Sequence, residues 1–420
     1  MKRSKHFVLI YVDTKRRDLF PALKIENILM EAGISAKAVG QFQFLAAIEF
    51  YKPTIIIYGK HDGFHGDWLR AISGGFVFSL STEQGYSNED VMRQVFLIGH
   101  EYINEPAHEK IDCFLTYNKI TADWINRNLP FSHAEPVGSP RLYTNRLHLE
   151  ARKFTKKKLT VGIISGFDVI SGDRPDDFYT HYEKHNFPDF GGAQEFLSYH
   201  LIEGILLRQL ASNLTSHKEI GNIILRARYD NSNEYLNKFK KYNFQIDESD
   251  DPQYFFSKVD MVIFSQSLLG LEAMMCGIPA VSFSPMINIH KTFDRVIFRN
   301  YVKVAHKVPS FLELDKIIKL RAKNRLALAS DVPQFIKVAK DCFFNQTLDD
   351  NFGNRIVELV SKVDNYNIAS VDVGRILCHA LTPRPAKLLL LITKKFRLSY
   401  IIGVKFLKFF YRKRSEIYFG

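Results

Sequence analysis

Cysteine is scarce in this chain. Its 420 residues hold four, Cys113, Cys276, Cys342 and Cys378, and none stands at metal-ligand spacing from another. That argues against a disulfide-built scaffold and against a zinc ribbon, and it leaves the thiols as small buried groups suited to a reducing compartment. Long apolar runs are also missing. Nothing approaches the ~18 residues of a spanning helix. The run Phe7–Val12 is six residues long and meets Asp13 at once, so it is too short for a signal-peptide core and is expected to be a strand. No repeat of fixed period occurs, and the main body has too ordinary a balance of apolar and charged residues for disorder. Acid is absent from one stretch: between Arg384 and Arg414 there are ten Lys or Arg and no Asp or Glu. Much of the net charge of +12 therefore sits in the tail rather than being spread over the chain.

What is present is alternation. Short apolar runs at 7–12, 54–58, 76–80, 111–115 and 134–137 are separated by helical patterns at 19–31 and 121–128. Buried runs of this kind with helices between them imply parallel βαβ units covered on both faces. A basic polar stretch, Arg141 to Lys158, reads as a linker. Alternation then resumes with strands at 159–165, 222–225 and 244–246 and helices at 195–214, 234–240 and 254–258. From Phe311 to about Ser361 the pattern is helical. The expected organisation is an α/β chain of two doubly wound, Rossmann-like domains, residues 1–150 and 151–330, with a cleft between them. A helical extension, 331–420, follows and ends in the basic tail.

The most informative stretch is Val259 to Phe283. It reads as a buried strand, a polar turn with Ser265 and Ser267, a short helix carrying Gly270 and Glu272, a stop at Gly277 and a second buried strand. A helix that begins at the carboxyl end of a parallel strand offers hydroxyls and unsatisfied N–H groups to a phosphate. Glu272, one turn in, is placed to accept hydrogen bonds from sugar hydroxyls. Arg226 and Arg228 follow the strand at 222–225, and guanidinium forks suit phosphate oxygens.

Three segments carry a resemblance. Ser265 to Pro279 is similar to an S-x-S-x-x-G-x-E-A-x-x-x-G-x-P segment, Arg226-Ala227-Arg228-Tyr229 occupies the place of an R-x-H-P segment, and Val137–Leu142 resembles a G-x-P-R turn. Together they resemble glycosyltransferases of the GT-B fold, and more narrowly the bacterial surface and capsular polysaccharide biosynthesis group. The resemblance implies a nucleotide-sugar donor, no further cofactor and no metal, with Ser265, Ser267, Gly270, Glu272, Arg226 and Arg228 at the donor. Arg228 stands where that group has histidine, and it can supply charge but not a proton.

Inverting transfer also needs a base. Glu83, after the strand at 76–80, is the first candidate and Asp13, at the end of the first strand, the second. Acceptor contacts are expected from Arg17, His61 and Arg141. The loop His61–Asp67 has metal-ligand residue types but no third ligand cluster, so it reads as an acceptor loop. The basic, aromatic tail resembles an interfacial helix on anionic lipid rather than a nucleic-acid arm. These features imply a cytoplasmic enzyme, peripheral to the inner membrane, moving a sugar to a lipid-linked or polysaccharide acceptor. A nucleotide-sugar epimerase, a polyol-phosphate transferase and a non-catalytic assembly scaffold share the same scaffold and stay open.

Overall fold

The structure is a computed structural model that describes residues 6–13, 15–40, 43–59, 69, 73–80, 89–93, 96, 111–129, 133–141, 158–164, 193–228, 233–240, 242–265, 267–287, 305–326, 333–343 and 352–363. Two compact units divide it, one formed by Met1–Tyr143 with Phe343–Gly420, the other by Thr144–Cys342. The basic tail and the 141–158 linker, Arg141 and Lys158 apart, lie outside the described residues.

In the first unit the chain runs β1 (Phe7–Val12), α1 (Lys15–Glu31), β2 (Ser35–Gly40), α2 (Phe44–Tyr51), β3 (Ile55–Tyr58), β4 (Phe76–Ser79), α3 (Glu89–Arg93), β5 (Cys113–Thr116), α4 (Lys119–Asn128) and β6 (Ala134–Pro136). The sheet is parallel, in the order β2-β1-β3-β4-β5-β6. β3, β4 and β5 are buried at every position because helices cover both faces, which is why they read as unbroken apolar runs. Edge strands behave differently. β2 is small and polar along half its length, and β6 ends in Pro136, tolerable only where no further strand needs its N–H.

The second unit continues with β7 (Leu159–Ile164), α5 (Ala193–Thr215), β8 (Ile220–Arg226), α6 (Asn233–Lys240), β9 (Gln245–Asp247), α7 (Pro252–Lys258), β10 (Met261–Phe264), α8 (Leu268–Met275), β11 (Ala280–Ser282), α9 (Ser284–Ile287), β12 (His306–Lys307), α10 (Phe311–Ala322) and α11 (Pro333–Phe343). Its parallel sheet has the order β12-β11-β10-β7-β8-β9. Numbered from β7, that is the Rossmann order. Its core gathers Val161, Ile163, Leu225, Ile263 and Val281 from the strands with Leu207, Leu210 and Leu214 from α5. Gly162 is required here: a Cβ would meet the Phe255 ring at 2.6 Å.

The chain then returns to the first unit in α12 (Phe352–Ser361). Phe352, Ile356, Leu359 and Val360 lie on one helical stripe and are buried, and the helix packs on α1. Arg355 ties it to the sheet through an ion pair with Glu135 of β6, whose other oxygen lies 2.9 Å from His133 Nε2. The His133 hydrogen bond and the Arg355 charge hold the Glu135 carboxyl below its ordinary range. A carboxylate with a depressed folded-state pKa stabilises above its unfolded pKa, and that contribution is lost as pH falls through the folded value. Glu135→Gln is therefore expected to lower the urea midpoint at pH 7, with a deficit that shrinks as pH falls below the ordinary glutamate range. A constant offset across the range would refute the assignment.

Candidate functional site

Strand order reverses in the second unit between β7 and β10. After β7 the chain moves outward through β8 and β9, and it comes back on the other flank of β7 with β10. Crevices of this kind, outside the carboxyl ends of the strands, are where open α/β sheets hold ligands. β10 ends at Phe264 and α8 starts at Leu268, so the intervening turn stands at that edge.

The turn is held from several sides. Ser267 is the N-cap of α8, in extended conformation, and its Oγ accepts from the Leu269 N–H at 3.3 Å. Ser265 is buried, and its Oγ donates to Glu203 Oε1. The other Glu203 oxygen lies 2.8 Å from His200 Nδ1, both residues standing on α5. The Ser265 carbonyl accepts from Ser282 Oγ, at 2.8 Å, and from Ser284 Oγ. These bonds assign different chemistry to the two serines that the sequence treats alike. A hydroxyl has one proton. Ser265 gives its proton to Glu203, so it does not offer a donor to phosphate. The Ser267 oxygen accepts the cap bond, and its own O–H is not spent on that contact.

Two further motif residues are placed by packing. A Cβ on Gly270 would meet the Phe264 ring at 2.5 Å, so the glycine is what lets α8 lie against β10. Glu272 is 1% exposed, enclosed rather than open to sugar hydroxyls.

Arg226 is the last residue of β8 and pairs in register with Asp247 of β9. Its Nη1 donates to Asp247 Oδ2 and to Ser249 Oγ, the latter at 2.8 Å, and both side chains of the ion pair are 5% exposed. Through Nη1 the guanidinium holds two neighbouring strand ends together. Because β8 ends at Arg226, the strand periodicity that would aim Arg226 and Arg228 the same way does not extend to Arg228, which is half-buried in irregular backbone. The two arginines of the motif therefore differ in setting, Arg226 buried in an ion pair and Arg228 half-buried beyond the strand.

In the first unit the order reverses between β1 and β3, and Asp13 follows β1 at that carboxyl edge. The Tyr11 hydroxyl donates to Asp13 Oδ1 at 3.1 Å, and the Tyr11 ring lies 4.9 Å from both Phe44 and Tyr58. Arg141 follows a turn opened by Gly138 at φ +85°, and its N–H donates to Ser139 Oγ at 3.3 Å. Lys24 Nζ fixes this turn to α1 by donating to the Pro140 carbonyl at 3.2 Å. Glu83 and His61 lie outside the described residues, and so does the side chain of Arg17, whose backbone belongs to α1. Among the described residues no group of three His, Cys, Asp or Glu could hold a metal ion, and no helix is long and apolar enough to cross a membrane. Sequence reasoning missed Glu203 and His200. Their only signal is an i, i+3 spacing on one face of a long helix, and nothing in the sequence points that face at Ser265.

No family model and no curated protein matches the sequence. Solved structures do match in shape. A wall teichoic acid polymerase TagF, H444N with CDPG, is 12% identical, with a TM-score of 0.50, over 86% of this chain and 90% of that one. The S. aureus MnaA–UDP co-structure is 10% identical, with a TM-score of 0.47, over 87% and 98%. MurG of Acinetobacter baumannii is 12% identical, with a TM-score of 0.42, over 85% and 99%. The chain has a GT-B-type, glycosyltransferase-like fold of two Rossmann-like units.

Arg226→Ala leaves Asp247 as a buried charge without its partner, and losing one member of a buried pair costs about 3–5 kcal/mol. Denaturant unfolding is expected to show that loss. A variant with unchanged stability and weakened nucleotide binding would return Arg226 to the ligand.

Proposed function

We propose that the protein is a glycosyltransferase that takes a nucleotide-sugar donor on the second unit and passes the sugar to a cell-surface glycan acceptor. The observation that carries the reading is the serine-capped start of α8, placed where strand order reverses in a unit of this fold. Ser267 and the first N–H groups of α8 would take the diphosphate, whose charge the helix terminus favours. Arg228 would add the cation. Helix dipole and guanidinium together supply the stabilisation of a leaving diphosphate, so the reading needs no metal.

On the first unit the base would be Asp13 or Glu83. Asp13 has support from its position past β1 and from the Tyr11 hydroxyl, which orients one carboxylate oxygen. A positioned carboxylate contributes on the order of 10²–10⁴-fold. Inversion at the sugar follows from a single displacement with such a base. Arg17, His61 and Arg141 would meet an anionic or lipid-linked acceptor, and the tail from Arg384 to Arg414 would hold the enzyme on the cytoplasmic face of the inner membrane, each basic residue adding about 1 kcal/mol near anionic lipid.

A thermal-shift panel of UDP, CDP, GDP and CMP tests the donor site. One nucleotide is expected to stabilise the protein, and Ser267→Ala is expected to weaken that binding roughly tenfold while costing only about 1 kcal/mol of stability as a lost cap. A response confined to CDP would favour polyol-phosphate transfer, and no response at all would favour the non-catalytic scaffold. Asp13→Asn and Glu83→Gln separate the two bases: the true base variant keeps nucleotide binding and loses turnover by at least about 10². Co-sedimentation with phosphatidylglycerol vesicles is expected for the full chain and is expected to fall steeply between 50 mM and 500 mM salt, as screening of surface charge requires. Salt-insensitive or absent sedimentation would remove the membrane role.

A further inference from the structure

Glu203 is a buried carboxylate that takes donors from two elements. On Oε1 it receives the Ser265 hydroxyl, 62 residues away in sequence, and on Oε2 it lies 2.8 Å from His200 Nδ1. Glu203 is 2% exposed and His200 6%. A carboxylate withdrawn from water costs several kcal/mol unless it is answered, so this arrangement is part of what the fold requires at the end of β10.

The order of the three groups decides what they can do. In a nucleophilic triad histidine stands between serine and carboxylate and takes the serine proton. Here the carboxylate stands between serine and histidine. A carboxylate is far too weak a base to ionise a serine hydroxyl. Acyl transfer through Ser265 is therefore excluded, and orientation is what remains. The hydroxyl is turned inward toward α5 while the carbonyl of the same residue is held by Ser282 at the end of β11 and by Ser284 at the start of α9. Three elements thus fix one residue, two positions before the cap of α8.

We propose that Glu203 and His200 are positioning residues of the donor site: by holding the Ser265 hydroxyl inward they fix the turn, so that Ser267 and the main-chain N–H groups of α8 face the anionic ligand in their bound arrangement. The inference rests on the nucleotide reading above. Donors aimed in advance need no reorganisation when the ligand arrives, and that is the benefit a held turn supplies.

The test has two arms, each applied to Glu203→Ala, Glu203→Gln, Ser265→Ala and the double variant Glu203→Ala/Ser265→Ala in the full chain. Hydrogen exchange reads the turn without any ligand. Glu203→Ala and Ser265→Ala are each expected to speed exchange at the amides of 267–270 about tenfold, the loss of one charge-assisted hydrogen bond, while amides of β7 keep their rates. Glu203→Gln keeps an acceptor oxygen for Ser265 and places an amide group beside His200 Nδ1, and is expected to restore the slow exchange. Uniform acceleration through the unit, or none at 267–270, overturns the proposal. Titration with the nucleoside diphosphate that binds wild type reads its use. Affinity is expected to fall about tenfold in either single variant and no further in the double, because both break the same link. Additive losses overturn the proposal. If wild type binds none of UDP, CDP or GDP, the nucleotide reading falls, and the exchange arm still decides whether Glu203 holds the turn.

Discussion

A carboxylate deprived of water must be met by donors, and in the second unit that demand organises the end of the sheet. Glu203 draws Ser265 toward α5, the Ser265 carbonyl draws Ser282 and Ser284 from the next strand and helix, and the cap of α8 follows two residues later. The ring of Phe264 and the bare Cα of Gly270 then let α8 settle on β10. The shape of this edge is thus set by contacts among α5, the β10–α8 turn, β11 and α9.

The same pattern separates what the sequence made legible from what it hid. β3 and β10 are unbroken apolar runs, and their burial at every position leaves few other readings. β2 and β12 were not expected. They lie at sheet edges, where one flank faces no strand and small or charged residues suffice: Ser-Ala-Lys-Ala in the first case and His-Lys in the second. Helices at 19–31 and 195–214 were expected close to their observed bounds, Lys15–Glu31 and Ala193–Thr215.

Site residues were harder because spacing along the chain says nothing about who stands opposite. Arg226 reads as a phosphate ligand until the register with Asp247 is known, 21 residues downstream. Ser265 and Ser267 look equivalent in a motif, yet one spends its proton on a carboxylate from another helix and the other spends a lone pair on its own backbone. Gly270 belongs to a motif that points to ligand, and the volume of Phe264 accounts for it instead. The place of Asp13 in the fold was legible, since the end of the first strand in a doubly wound sheet is a position that topology itself marks.

The return of the chain through α12 has a consequence for synthesis. The first unit closes with a helix that follows the whole of the second, so its nascent form leaves the ribosome with the α1 face uncovered and Glu135 still without Arg355. At about 5–20 residues per second the missing helix emerges roughly 10 to 40 seconds later. During that interval the second unit can complete its own core. The half made first is thus the half finished last, and it is the early unit that a chaperone would have to shelter.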